Sequence, residues 1–99
     1  MLKISNDMIE IMDQDNAIVA FTALWCGPCK TLKPQFAKAA VIDKDVSYYV
    51  VDVDEVGMDY LQSYGIQSIP QIFKMNKGKI VKPILSRTAE GIISEKMAS

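Results

Sequence analysis

Apolar residues run from Ala17 to Cys26 with only Thr22 as an interruption. A strand covered on one face alternates apolar with polar, whereas one covered on both faces reads as a continuous apolar run. Ala17 to Leu24 is therefore predicted to be a buried strand of a parallel sheet. Val46 to Val53 repeats the pattern through Val46, Tyr48, Tyr49, Val50, Val51 and Val53. Between the two, Leu32, Phe36 and Ala40 recur at helical spacing and predict a helix ending near Ile42. Pro34 lies inside it and should kink it by removing one backbone hydrogen bond. Ile4 belongs to a short apolar start, and Ser5 or Asn6 is placed to cap a helix with Met8, Ile9 and Met12 inward. Asp15-Asn16 reads as a turn.

Further along, Asp54-Glu55 turns the chain into a short helix carrying Met58, Leu61 and Tyr64, stopped by Gly65. Ile66 to Pro70 is a loop. Gln71 to Met75 and Lys79 to Leu85 are strand-like around Asn76-Lys77-Gly78, which predicts a hairpin with a three-residue connection. Thr88 can cap a last helix with Ile92, Ile93 and Met97 inward. The order β-α-β-α-β-α-β-β-α argues for an α/β fold with parallel strands and one antiparallel hairpin.

The 99 residues form one domain, 1–99, large enough for a hydrophobic core without staples. A net charge of −1 gives no electrostatic reason to expect nucleic acid or an anionic membrane. Yet the charge is uneven. Five of the 11 basic residues fall between Lys74 and Arg87, at Lys74, Lys77, Lys79, Lys82 and Arg87, and six of the 12 acids fall between Asp43 and Asp59. Solvated loops and strand edges account for most of this, and a polar docking face is the second reading. The longest apolar run is well short of the ~20 residues that span a bilayer. Met1 to Asp7 carries no apolar leader core, so a cytoplasmic location with reduced thiols is expected. With two cysteines and no histidine, histidine bases, Cys-His pairs and a closed structural zinc site are all excluded.

The chemistry centres on Cys26-Gly27-Pro28-Cys29, at the predicted strand-to-helix junction. Two intervening residues bring both sulfurs within bonding reach. A helix N-terminus offers unpaired N–H groups and partial positive charge, which favour a thiolate. Gly27 and Pro28 restrict the turn. Cys26 precedes the helix and is expected to be the exposed nucleophile. Cys29, one turn in, is expected to be the buried resolving thiol. A pair of cysteines so spaced, beside a βαβ pattern and without other metal ligands, reads as a dithiol–disulfide exchange centre.

The hexapeptide Trp25-Cys26-Gly27-Pro28-Cys29-Lys30 resembles the active site of the thioredoxin family at each position. The resemblance continues through Pro34, Asp52-Val53-Asp54, Tyr64-Gly65-Ile66 and Ile69-Pro70. It implies a thioredoxin fold, a central mixed sheet of four to five strands flanked by four helices. It further implies a cis Ile69-Pro70 bond with Pro70 against the disulfide, and Ile69 offering backbone hydrogen bonds to an extended client. Trp25, Gly27, Pro28 and Ile69 would form a flat apolar docking surface around Cys26. Lys30 is expected to be a solvated helix charge. The activity implied is that of a general protein-disulfide reductase, with disulfide-bearing clients, a thioredoxin reductase as electron donor, no bound cofactor or metal, and a monomeric state.

The departures from the family pattern are specific. The aspartate usual six residues before the first active cysteine is Ala20, and the lysine near it is Val50. Leu24 stands where an acid often precedes the tryptophan, the proline loop reads Ser68-Ile69-Pro70-Gln71, and Ser86 replaces a glycine before the last helix. Without the aspartate, Cys29 lacks a nearby base, so its attack on Cys26 should be slow at neutral pH. Two other readings accompany the reductase. One is an oxidase or isomerase, against which Gly27-Pro28 argues because those relatives place a histidine or another polar residue between the cysteines. The other is a binding subunit that uses the fold for docking, such as a polymerase processivity factor.

Overall fold

The structure is a computed structural model that describes residues 2–97. Five strands form one mixed sheet in the order β1-β3-β2-β4-β5, with β1 at Leu2–Ile4, β2 at Ala17–Thr22, β3 at Ser47–Asp52, β4 at Gln71–Asn76 and β5 at Lys79–Ile84. β1 and β2 run parallel to β3, while β4 is antiparallel to β2 and to β5. β2 is the middle strand, and each of its six residues is buried. That explains its unbroken apolar run. Ala17, Val19 and Phe21 belong to a core on one face, with Val51, Leu61, Ile66 and Phe73, and the two cysteines join this cluster from beyond the end of β2. Ile18 and Ala20 belong to the core on the other, with Leu32, Phe36, Tyr48, Val50, Ile72 and Ile92.

Helices cover both faces: α1 at Met8–Met12, α2 at Gly27–Ile42, α3 at Val53–Val56, α4 at Met58–Gln62 and α5 at Ala89–Met97. α2 is continuous through Pro34. The helix expected after the second buried strand is divided at Gly57, whose φ of 101° lies in the left-handed region, so the described residues form five helices where four were expected. The cap of α1 is Asp7, whose carboxylate accepts the N–H groups of Ile9 and Glu10, each at 3.1 Å. Ser5 and Asn6 are engaged elsewhere: Ser5 accepts from the Asp7 N–H, and Asn6 from the Asp52 N–H. The inward face of α1 is Met8 and Ile11, with Met12 packed at its margin, whereas Ile9 is 85% exposed. Five residues make little more than one turn, too short for periodicity to identify a face.

The β4–β5 connection is tighter than expected. Asn76 pairs with Lys79, leaving two residues, Lys77 and Gly78, with φ of 48° and 81°. Two consecutive left-handed residues give the primed turn whose twist matches that of the strands. Lys79, Lys82 and Pro83 then blunt the edge of the sheet against pairing. Thr88 caps α5, its hydroxyl accepting the Gly91 N–H at 3.1 Å. Ile92 is buried and Ile93 packs at the margin of the core, but Met97 faces solvent. Tyr64, expected on the helix with Met58 and Leu61, lies just beyond the end of α4 at Gln62. It is exposed and meets Tyr60 edge-on at 5.3 Å between ring centroids.

The end of α5 is fastened to the sheet. Lys74 and Lys82 donate to the carbonyls of Lys96 and Glu95 at 3.1 and 2.7 Å, and Lys96 pairs with Asp43 at 2.7 Å. Tyr48 donates to the same Asp43 oxygen at 2.8 Å. Burial, and then the Asp43 carboxylate, raises the Tyr48 hydroxyl well above the ordinary tyrosine value. The unfolded chain ionises this phenol near pH 10, and the folded chain resists. Stability is therefore retained below about pH 10 and falls as pH rises beyond it. Urea midpoints at pH 8 and pH 11 should show that fall, and Tyr48→Phe should make it shallower. An equally steep fall in the variant would remove Tyr48 as the cause.

Candidate active site

β2 ends at Thr22, and the chain crosses the sheet edge through Ala23, Leu24 and Trp25 before entering α2. The Cys26 N–H donates to the Ala23 carbonyl at 3.2 Å, which tightens this crossing. Cys26 is the cap of α2, with extended backbone, and its sulfur accepts the Cys29 N–H at 3.3 Å. Pro28 sits in the first turn, where its missing donor leaves no helical bond unmade. Cys26 and Cys29 are joined as a disulfide, with Cα atoms 5.3 Å apart. Cys26 is 5% exposed and Cys29 is 0% exposed. Cys29 is buried as expected, whereas Cys26, expected to be exposed, is buried as well because it packs into the core at the head of α2.

Around the disulfide, Trp25 is 68% exposed, and Gly27, Pro28 and Lys30 also face solvent. Ile69 is half-buried and packs against the core cluster that holds both cysteines. The Ile69-Pro70 peptide bond is cis. These residues are brought to one end of the sheet, where β2 finishes and β4 begins. The β4 ladder starts at Gln71, paired with Phe21, so Ile69 lies just outside it.

Three polar contacts form a chain at this end, two of them long-range and without a local signature. The Trp25 indole donates to Asp54 at 2.7 Å. The Asp54 N–H donates to Asp52 at 2.9 Å, and the Asp52 N–H donates to Asn6 at 2.9 Å. This chain of bonds fixes the indole to the start of α3. On the opposite side, Arg87 donates to the Pro70 carbonyl at 3.3 Å and to the Leu85 carbonyl at 3.4 Å. The Glu95 carboxylate accepts the N–H groups of Leu85 and Ser86 at 2.8 and 2.6 Å, which orders the same loop. Asp54 and Arg87 were not singled out as site residues from sequence. Asp54 stands within Asp52-Val53-Asp54, and Arg87 among the late basic residues, so both were visible only as members of groups.

The replaced polar pair is also accounted for. Ala20 and Val50 are partners in the β2–β3 register, and Ala20 is likewise opposite Ile72. Ala20 is 1% exposed and Val50 is 8% exposed. Each apolar residue therefore meets another. Thr22, the buried polar residue of this strand, donates to the Val51 carbonyl at 3.2 Å. Among the described residues no three His, Cys, Asp or Glu side chains gather closely enough to hold a metal ion, and no helix is long and apolar enough to cross a membrane.

The family model described as Thioredoxin matches residues 4–98. Thioredoxin H3 from Arabidopsis thaliana is 34% identical over 78% of this chain and 64% of its own length, so the chain spans just under two thirds of that relative. Putative thioredoxin-4 from Dictyostelium discoideum is 34% identical over 86% of this chain and 81% of its own. Among solved structures, the oxidised thioredoxin from Plasmodium falciparum superposes with a TM-score of 0.79 at 27% identity, covering 97% of this chain and 95% of that one. A matched family model over nearly the whole chain and a shared fold agree with the cysteine pair at the head of α2: the chain belongs to the thioredoxin family.

Proposed function

We propose that this chain is a protein-disulfide reductase working through Cys26 and Cys29. The observation that carries the reading is the placement of Cys26 as the cap of α2, with its sulfur accepting the Cys29 N–H and the partner sulfur wholly buried. The contact and the helix N-terminus favour negative charge on Cys26 once the disulfide is opened. The Cys26 thiolate attacks one sulfur of a client disulfide. That bond breaks, one client thiolate leaves, and a mixed disulfide forms. The Cys29 thiolate then attacks the Cys26 sulfur and expels the second client thiolate. Two electrons pass to the client, both thiol protons end on its cysteines, and the chain is left with the Cys26–Cys29 disulfide. A thioredoxin reductase would restore the dithiol.

Trp25, Gly27, Pro28, Ile69 and Pro70 form the client-docking surface in this reading, and the backbone of Ile69 bonds to the client as a short added strand. The chain acts as a monomer in the cytoplasm. With Ala20 and Val50 in place of the usual acid and lysine, Cys29 has no side-chain base beside it. Its deprotonation passes through water or the departing Cys26 thiolate. Attack by Cys26 is fast, and resolution by Cys29 quickens towards alkaline pH.

The test is a redox titration followed by the fluorescence of Trp25, the single tryptophan, which adjoins Cys26. A midpoint close to the value typical of thioredoxins, about −270 mV, is expected. A midpoint about 60 mV or more higher, two decades in equilibrium constant, would replace the reductase with an isomerase or oxidase.

A further inference from the structure

The docking face is electrically divided. On the Trp25 side stands Asp54, exposed and bonded to the indole, at the start of the short α3–α4 stretch that also carries Glu55 and Asp59. On the Pro70 side stands Arg87, also exposed. Its two hydrogen bonds, at 3.3 and 3.4 Å to carbonyls, use two of the five N–H donors of a guanidinium, and both are long. Glu95, the acid anchored in the same loop, is occupied by the Leu85 and Ser86 N–H groups. Among the described residues Arg87 forms no ion pair, whereas Glu90 of the same region is paired with Lys38. Arg87 also lines a cleft of about 170 Å³ with Ser68, Pro70, Gln71 and Leu85. Gln71, whose side-chain oxygen has no hydrogen-bond partner, borders the same cleft.

Pro70 adjoins Ile69, and Ile69 packs on the cluster containing both cysteines. A client segment laid along Ile69 therefore passes an unpaired cation on one flank and a carboxylate on the other. A guanidinium held by weak carbonyl contacts retains the fork that a carboxylate fits in two places. We propose that Arg87 is a specificity-determining residue, selecting extended client segments with a carboxylate on the flank of the disulfide cysteine that lies over Pro70. Asp54 disfavours a carboxylate on the other flank. The pair thus sets both the charge of the client and the direction in which it lies. This inference rests on the reductase reading, and its occupant is an acidic peptide segment.

The probes are synthetic peptide disulfides in which Glu, Gln or Lys stands on the N-terminal or the C-terminal side of the cysteine. The reading is the Glu-to-Lys ratio of kcat/KM on each flank, at low and at high salt. Exposed charge pairs contribute modestly, so a ratio of about two- to fivefold in favour of Glu is expected on one flank, fading with salt. The other flank should favour Lys. Arg87→Gln should bring the first ratio close to one, and Arg87→Glu should invert it. Two results would overturn the inference. One is the same ratios in wild type and both variants. The other is a uniform loss across all peptides, which would make Arg87 only a staple for the Pro70 loop. Failure of wild type to reduce even the Gln peptides would sink the reductase reading itself, and the inference with it.

Discussion

Cys26→Ser is expected to abolish turnover of protein disulfides, down to the buffer background, while Cys29→Ser should still attack once and stop. The difference follows from the geometry of the pair. Cys26 caps α2 and is the less buried of the two cysteines, and in the proposed reductase it is the sulfur that meets the client. Cys29 is wholly buried, and in the same reading it acts only on Cys26. Removing the first sulfur removes the attacking atom. Removing the second leaves the mixed disulfide with no internal thiol to resolve it. Mass spectrometry of Cys29→Ser after incubation with a disulfide client should find the adduct on Cys26. An adduct on Cys29 in Cys26→Ser, or turnover surviving in Cys26→Ser, would reverse the assignment. Retention of a partner-binding role by Cys26→Ser, with no reductase activity in wild type, would favour the docking-subunit reading.

Ala20→Asp should lower stability by several kcal/mol and, at the same time, speed resolution by Cys29 below about pH 8, near the ordinary thiol pKa. Ala20 is 1% exposed and sits between Val50 and Ile72 in the sheet, in a core that includes Ile18, Leu32 and Phe36. A carboxylate there finds no cation, because Val50 has replaced the lysine. Burying an unpaired polar or charged group costs about 3 kcal/mol after relaxation. For a domain of this size that corresponds to a melting temperature lower by about 10–25 °C. Burial raises the pKa of the new acid, so the charge-dependent part of the cost is absent below about pH 4, the unfolded value, and grows as pH rises. Ala20→Asn separates the effect of size from that of charge. Thermal melts of the two variants against wild type decide the stability arm, and an Ala20→Asp protein melting at or above wild type would contradict it. Single-turnover release of client thiol against pH decides the kinetic arm, where an unchanged profile would remove the missing base as the cause of slow resolution.

The absence of a buried carboxylate therefore has two consequences of opposite sign. In the proposed reductase the core gains apolar contact at Ala20 and Val50, and Cys29 lacks the proton acceptor that the family usually supplies. Neither consequence touches the docking face. Trp25, Asp54, Ile69, Pro70 and Arg87 stand at the surface or its margin, on loops carried by a rigid sheet. In that reading, client selection and proton transfer are set by different residues of the fold.

The sequence by itself determined the order of the elements, the two-sided burial of the middle strand and the place of the cysteine pair. Each of these is written locally: an unbroken apolar run, a helical repeat, a capping cysteine before Gly-Pro. Strands and long helices repeat their pattern often enough for the period to be read. The short elements do not. Five residues of α1 could not reveal that Ile11 turns inward and Ile9 outward, and Gly57 divides a helix that composition alone presents as one. Only the tertiary structure decided which side chains meet across the chain. Trp25 and Asp54 are 29 residues apart, and Pro70 and Arg87 are 17 apart. Such contacts depend on where the sheet register places the ends of β2, β3 and β4, and side-chain periodicity within one segment carries no record of a neighbour's register. The cysteine pair was therefore legible in the sequence, whereas the charged groups around it came from the packing of the sheet.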